Sequence, residues 1–214
     1  MAVQKKVQKS TTKKKKRKNR KKRYDLSRVW MALGTLTVIL LVIFGVAQHQ
    51  KTQNAAQQMS GLSAIDGSRP DLDVELLTVN PYSRPGTALT QVNGIVIHYT
   101  ANPGATAIAN RNYFENLKDT HTTKASAHFI VGLEGEIVQC IPTAEIAYAS
   151  NDRNSDTLSI ECCYEKDDGS FNRETYESVI RLTAWLCNKF GLTSEQVIRH
   201  YDVTGKNCPK YFVE

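Results

Sequence analysis

Acidic residues are almost missing from the first 28 positions of this 214-residue chain: Asp25 stands alone against 14 Lys and Arg. The next 19 residues, Val29 to Ala47, lack charge of either sign. Residues 48–72 lack hydrophobic periodicity, and the chain has no internal repeat. Each absence excludes something. An apolar run with no polar face is not the amphipathic helix of a soluble domain. A segment rich in Gln, Ser, Ala and Asn with no periodicity does not belong to a packed core and reads as a flexible stalk. Basic charge is scarce after the tail: residues 29–214 carry 14 basic and 20 acidic side chains, a net −6. The formal +7 therefore describes the tail alone, and the remainder has no basic footprint for nucleic acid.

The tail itself contains Lys13-Lys14-Lys15-Lys16-Arg17-Lys18. By itself such a run fits a nucleic-acid or nuclear-targeting patch. The apolar run behind it points elsewhere, because its length suffices to cross a bilayer as a helix. Basic residues before a first span stay cytoplasmic, and they also suit anionic headgroups. Gly45-Val46-Ala47 resembles a small-x-small cleavage site, yet the run exceeds the ~7–15 residues of a signal h-region. The expectation is a retained anchor: 1–28 a cytoplasmic tail, 29–47 a transmembrane signal anchor, 48–72 a stalk and 73–214 a folded domain outside.

The domain alternates strands and helices. Ile95 to Thr100 reads as a buried strand, broken by Pro103-Gly104. Ala107 to Lys118 carries a helical stripe near 109, 113, 114 and 117. His128 to Val131 and Ile137 to Cys140 form a hairpin with glycine in the turn, and Thr157 to Tyr164 is a further strand. Arg173 to Phe190 is the clearest helix, with Tyr176, Val179, Ile180, Thr183, Leu186 and Phe190 on one face, Asn172 as N-cap and Gly191 as C-cap. Val197-Ile198 leads into His200. This alternation predicts the α/β class, a central mixed β-sheet flanked by helices.

Chemistry concentrates near the end. His200 and Cys208 have seven residues between them, and His98 follows the apolar run Ile95-Val96-Ile97. Two His and one Cys make a three-ligand zinc set with an open fourth position, the pattern of a catalytic site. A loop thiol outside the membrane oxidises unless held, and coordination holds it. Hydrolysis at such a site also needs a base and an oxyanion partner. Strand alternation places Leu158, Ile160 and Cys162 on one face and Ser159, Glu161 and Cys163 on the other. A carboxylate in an apolar strand is costly without a partner, so Glu161 is the candidate base, against a sheet-end salt bridge. Lys206 is tethered near Cys208 and is the candidate oxyanion stabiliser, against an ordinary surface lysine.

From about Asn93 to the end the chain resembles the zinc-dependent N-acetylmuramoyl-L-alanine amidases, the family that includes phage-type lysozyme amidases and peptidoglycan recognition proteins. The resemblance rests on Ile97-His98-Tyr99-Thr100, Ser126-Ala127-His128-Phe129-Ile130-Val131, Gly135-Glu136-Ile137-Val138-Gln139, Leu158-Ser159-Ile160-Glu161, His200-Tyr201-Asp202-Val203 and Lys206-Asn207-Cys208-Pro209, in that order. It implies a zinc groove across a mixed sheet, with His98, His200 and Cys208 as ligands. It also implies cleavage of the amide between the lactyl group of N-acetylmuramic acid and L-alanine of the peptidoglycan stem peptide. Glu161 matches the base and Lys206 the oxyanion-stabilising lysine. His128 falls at the groove or in the hairpin; Tyr148, Asn151 and Asn154 fall in a loop where peptide contacts are expected.

Two departures stand out. The phage-lysozyme branch has a catalytic tyrosine where this chain has Ala127, which leaves the base role to Glu161. Such domains also continue into a helix after the Cys-Pro segment, whereas this chain ends at Glu214; the expectation is a domain truncated at its C-terminus. Cys140, Cys162, Cys163 and Cys187 allow three complete disulfide pairings, or stay as buried free thiols, the favoured reading. His121 and His49 have no evident role. The whole reads as a monomeric, single-pass amidase at the outer face of a bacterial membrane, acting on peptidoglycan with Zn2+ and without nucleic acid. A non-catalytic peptidoglycan receptor on the same fold is the alternative; loss of the cysteine ligand would mark it, and Cys208 is present.

Overall fold

The computed structural model describes residues 39–53 and 66–213. Two units result, divided after Ala55. In the first, a helix (α1) covers the described residues 39–53, with Ile39, Leu40, Leu41, Val42, Ile43, Phe44 and Val46 exposed. No helix among the described residues is long and apolar enough to cross a membrane. Residues 29–38 of the expected anchor, all of the basic tail and residues 54–65 of the expected stalk lie outside the described residues.

The second unit is built on one six-stranded sheet: β1 (Asp73–Val74), β2 (Gly94–Tyr99), β3 (Phe129–Val131), β4 (Ile137–Gln139), β5 (Thr157–Cys162) and β6 (Val197–Arg199), in the order β1-β4-β3-β5-β2-β6. Every neighbouring pair is parallel except the β3–β4 hairpin. The mixed α/β sheet expected from the alternation of elements is therefore present. Gly135 turns the hairpin at φ 84°, and a Cβ there would meet Glu174 O at 3.0 Å and Ser178 Oγ at 2.9 Å, so glycine serves both the turn and close packing on a helix.

Strand alternation sorts the sheet into two cores. Ile95, Phe129, Val131, Leu158, Ile160 and Cys162 pack with Val179, Leu182 and Leu186 of α3 (Arg173–Phe190). Ile130, Val138, Ala127 and Cys163 pack on the other face with Ala107, Phe114 and Leu117 of α2 (Ala107–Thr120). Cys162 and Cys163 thus enter opposite cores, and all five cysteines are free. Asn172 accepts from Thr175 N and Gly191 closes α3 in the left-handed region, as the sequence predicts.

The helix stripes differ in phase from the periodicity reading. On α2 the buried positions are 107, 110, 114 and 117, while Ala109 and Tyr113 are exposed. On α3 they are Thr175, Ser178, Val179, Leu182 and Leu186, with Tyr176, Ile180 and Thr183 flanking. Small polar residues line each seam where the helix lies close to the sheet: Asn110 Nδ2 lies 3.6 Å from Cys163 Sγ, and Thr175 Oγ1 donates to Gly132 O at 2.8 Å. An apolar count cannot see such contacts.

The segment before β2 is fastened to α2 by Glu115, whose carboxylate accepts from Thr78 N at 3.0 Å and Thr78 Oγ1 at 2.6 Å and pairs with Arg111 and Lys118. Burial opposes the charge, but the Thr78 hydrogen bonds, Lys118 and Arg111 outweigh it and hold the carboxyl at about 2. A depressed carboxyl stabilises above its unfolded value and loses that contribution as pH falls to the folded value. Solvent screening reduces that contribution, and Glu115→Gln is expected to cost on the order of 1 kcal/mol at pH 7. The gap to the wild type should close between about pH 4.5 and pH 2, as read by denaturant melts across that range.

Candidate active site

The site lies on the α2 face of the sheet, at the carboxyl ends of β2, β5 and β6, the usual place for a crevice in an α/β sheet. The β2–β5 ladder sets His98 directly opposite Glu161. Both point away from α3, because Ile97 and Ile160 take that face. His200 is the first residue of a short helix, α4 (His200–Thr204), and not the end of a strand. Asp202 fixes its entry: Oδ2 accepts from Arg199 N at 2.8 Å and from Arg199 Nε at 3.0 Å.

The seven residues between His200 and Cys208 are one helical turn and a return. Gly205 ends α4 at φ 77°, a left-handed position that glycine fills without strain. Tyr201 N then donates to Cys208 O at 2.9 Å, which brings Cys208 back beside His200. Cys208 Sγ lies 3.9 Å from His98 Nδ1, and the ligand atoms of His98, His200 and Cys208 all lie within 4.8 Å of one another. All three residues are buried.

The ring nitrogens are sorted. His200 Nε2 lies 3.0 Å from Asn151 Oδ1, a carbonyl oxygen that only accepts, so Nε2 carries the proton and Nδ1 the lone pair. That Nδ1 is enclosed with no hydrogen-bond partner. His98 Nε2 lies 3.2 Å from Ser150 Oγ, again leaving Nδ1 to face Cys208. Burial, with His200 and then Lys206, pushes the His98 imidazole down to about 3; burial and Lys206 also lower His200. Burial pushes the Cys208 thiol up to about 11. Neutral imidazoles with Nδ1 turned inward fit a cation, and the thiol would lose its proton on binding one. Tetrahedral zinc sets N and S donors roughly 3.5 Å apart, so the chemistry and spacing of the three donors fit that ion.

Asn151 and Ser150 orient the rings, and the sequence reading misses Ser150 altogether. Asn151 sits at φ 52°, a left-handed conformation that Asn tolerates better than most residues. Removing such an outer partner of a metal-binding histidine typically costs about 10–100-fold in metal affinity. Asn151→Gly keeps the backbone conformation and deletes the acceptor. Its zinc affinity, measured by chelator competition, is expected to fall within that range.

Glu161 lines the groove beside the donors. Its Oε2 is enclosed with no hydrogen-bond partner, and burial pushes the carboxyl up to about 8, with Lys206 pulling it back. Lys206 lines the same groove, and its charge acts on His98, His200, Cys208 and Glu161 together. Tyr148, Asn151 and Asn154 line it too, around a volume of about 400 Å³. Asn154 Oδ1 accepts from Ala149 N and Ser150 N, so it also shapes the loop that holds His98.

His128 is not at the groove. It is buried beneath the sheet surface, with Nδ1 3.1 Å from Ser159 Oγ and Nε2 2.8 Å from Glu145 O. Its tie to the 145 loop is structural, so of the two places the sequence offers, groove or hairpin, His128 takes the second and does not line the groove as a substrate-binding residue. Ala127 is fully buried, so no hydroxyl reaches the groove from that position.

A mixed sheet with a His-His-Cys cluster open to a groove at its carboxyl edge defines an α/β protein built around a candidate metal site. The family model for N-acetylmuramoyl-L-alanine amidases matches residues 88–211, and the chain belongs to that family. A probable N-acetylmuramoyl-L-alanine amidase of Bacillus licheniformis is 41% identical over 147 residues, covering 63% of this chain and 41% of that protein. The amidase BlyA of Bacillus subtilis strain 168 is 42% identical over 158 residues, with 64% and 41% covered. The chain thus spans about two fifths of the length of these relatives. Among solved structures, the catalytic domain of XlyA superposes with a TM-score of 0.57 at 28% identity, covering 66% of this chain and 91% of that one.

Proposed function

We propose that this chain is a zinc-dependent N-acetylmuramoyl-L-alanine amidase, hydrolysing the amide between the lactyl group of N-acetylmuramic acid and L-alanine of the stem peptide. The observation that carries this is the unpartnered Glu161 Oε2 beside three inward metal donors and Lys206 in one groove. Zinc held by His98, His200 and Cys208 supplies Lewis-acid polarisation at that point. Glu161, enclosed beside the donors with Lys206 in the same groove, takes the proton of the attacking water as general base. Lys206 stabilises the oxyanion that develops on the lactyl carbonyl. Glu161 then returns the proton to the departing alanine amine. Ser150 and Asn151 hold the two imidazole rings with Nδ1 turned towards the donor cluster.

Purified peptidoglycan tests this directly. Digestion should release stem peptides with a free L-alanine amino-terminus, read by mass, and chelator should stop it. Cleavage of sugar linkages, or release indifferent to chelator, would overturn the reading. The proposal also holds residues 29–47 to be a single-pass anchor with the tail cytoplasmic and the domain outside. The net +13 flank ahead of the uncharged run supports that reading.

A further inference from the structure

The loop Tyr148 to Asn151 forms one wall of the groove, and its hydrogen bonds order the groove along its length. Asn151 holds His200, Ser150 holds His98, and Tyr148 is tied instead to Ser126: its N–H donates to Ser126 Oγ at 2.9 Å and its carbonyl accepts from Ser126 N at 3.0 Å. The Tyr148 end is therefore the end away from His200. Three residues of wall span at most ~10 Å, about the length of two to three residues of an extended peptide. At this far end stands Lys124, exposed, lining the groove, with Nζ 5.6 Å from the centre of the Tyr148 ring. Among the described residues the side-chain contact of the Lys124 ammonium is the Tyr148 ring, with no ion pair or side-chain hydrogen bond beside it.

The charge lining the groove is lopsided: Lys124 and Lys206 are its lysines, and Glu161 is its carboxylate. Lys206 and Glu161 belong to the donor end; Lys124 is left over. Once the lactyl acid is in amide linkage, the glycan side of the substrate carries hydroxyls and acetamides but no charge. Negative charge lies on the peptide side, on carboxylates of the second and later residues. We propose that Lys124, held over Tyr148, is a specificity residue that binds a peptide carboxylate two to three residues beyond the cleaved amide. This rests on the amidase reading above. An ammonium kept over an aromatic face is pre-positioned without being neutralised, so it pays no ion-pair exchange when the carboxylate arrives.

The test uses a muramoyl tripeptide with free carboxylates and two analogues, amidated at the second or at the third residue. Wild type, Lys124→Ala and Lys124→Arg are compared by KM and kcat separately. In wild type, amidating the recognised carboxylate is expected to raise KM about 2–5-fold, the range for an exposed ion pair. Lys124→Ala should raise KM for the free form by the same factor and cease to distinguish the analogues, while Lys124→Arg restores the distinction. Equal weakening of all three substrates by Lys124→Ala, or no preference in wild type, would overturn the proposal. If wild type cleaves none of them, the amidase reading fails separately. Calorimetric Kd values for the same three peptides then decide the role of Lys124 by the same ratios.

Discussion

Glu161→Gln loses about 10²–10⁴ in kcat, the range for a missing general base, while zinc content stays at the wild-type level. The substitution is close to isosteric, and Glu161 makes no hydrogen bond through Oε2 that the fold would miss. Burial already favours the neutral acid at this position, and a neutral amide of nearly the same shape adds no charge to it. The thermal midpoint of the variant should therefore equal or exceed that of the wild type. A rate loss through damaged structure would show the opposite sign. The position is placed by the ladder: Glu161 sits across from His98, on the face that α3 leaves free. Near-normal turnover at full zinc occupancy would remove Glu161 from the base role, and the buried His128 would not inherit it, because its ring nitrogens face Ser159 of β5 and Glu145 O of the 145 loop.

Cys208→Ser empties the site and abolishes turnover at ordinary zinc concentrations. Only 2% of Cys208 is exposed, and its Sγ faces His98 Nδ1 at 3.9 Å. A thiol can shed its proton to a metal even when burial has raised it to about 11. A serine hydroxyl in the same place stays protonated and offers a weak ligand. Bound zinc is expected to fall from about one per chain to well below that after dialysis, following the three-ligand stoichiometry of an open site. Circular dichroism should show the fold retained, since Cys208 enters neither of the two large cores. Unchanged zinc stoichiometry would take Cys208 out of the site.

Much of the site is legible in residue types and order. His98, His200 and Cys208 stand out because few structural roles call for those residues in those places, and the structure brings their donor atoms together. Glu161 stands out because alternation puts a charge in an otherwise apolar strand, and the structure shows the corresponding enclosed oxygen. His128 misleads for the same reason in reverse. A histidine in a hairpin looks like chemistry until its two ring nitrogens are seen facing Ser159 and Glu145. Ser150 leaves no trace in the sequence, because a serine in a polar loop is commonplace until the loop folds over His98.

The sequence by itself determined the α/β class, the hairpin, the caps of α3 and the division between an uncharged run and a mildly acidic domain, and it singled out His98, Glu161, His200, Lys206 and Cys208, which the fold gathers in one groove. These follow from local physics: periodicity, turn residues, and the cost of burying charge. The tertiary structure alone decided the strand order, the register that sets His98 against Glu161, and the helical turn that returns Cys208 to His200. It also decided which nitrogen of each histidine faces inward, through Ser150 and Asn151. Those features arise from contacts between residues far apart in the chain, His98 and Cys208 among them, and no local pattern encodes the geometry of such a meeting.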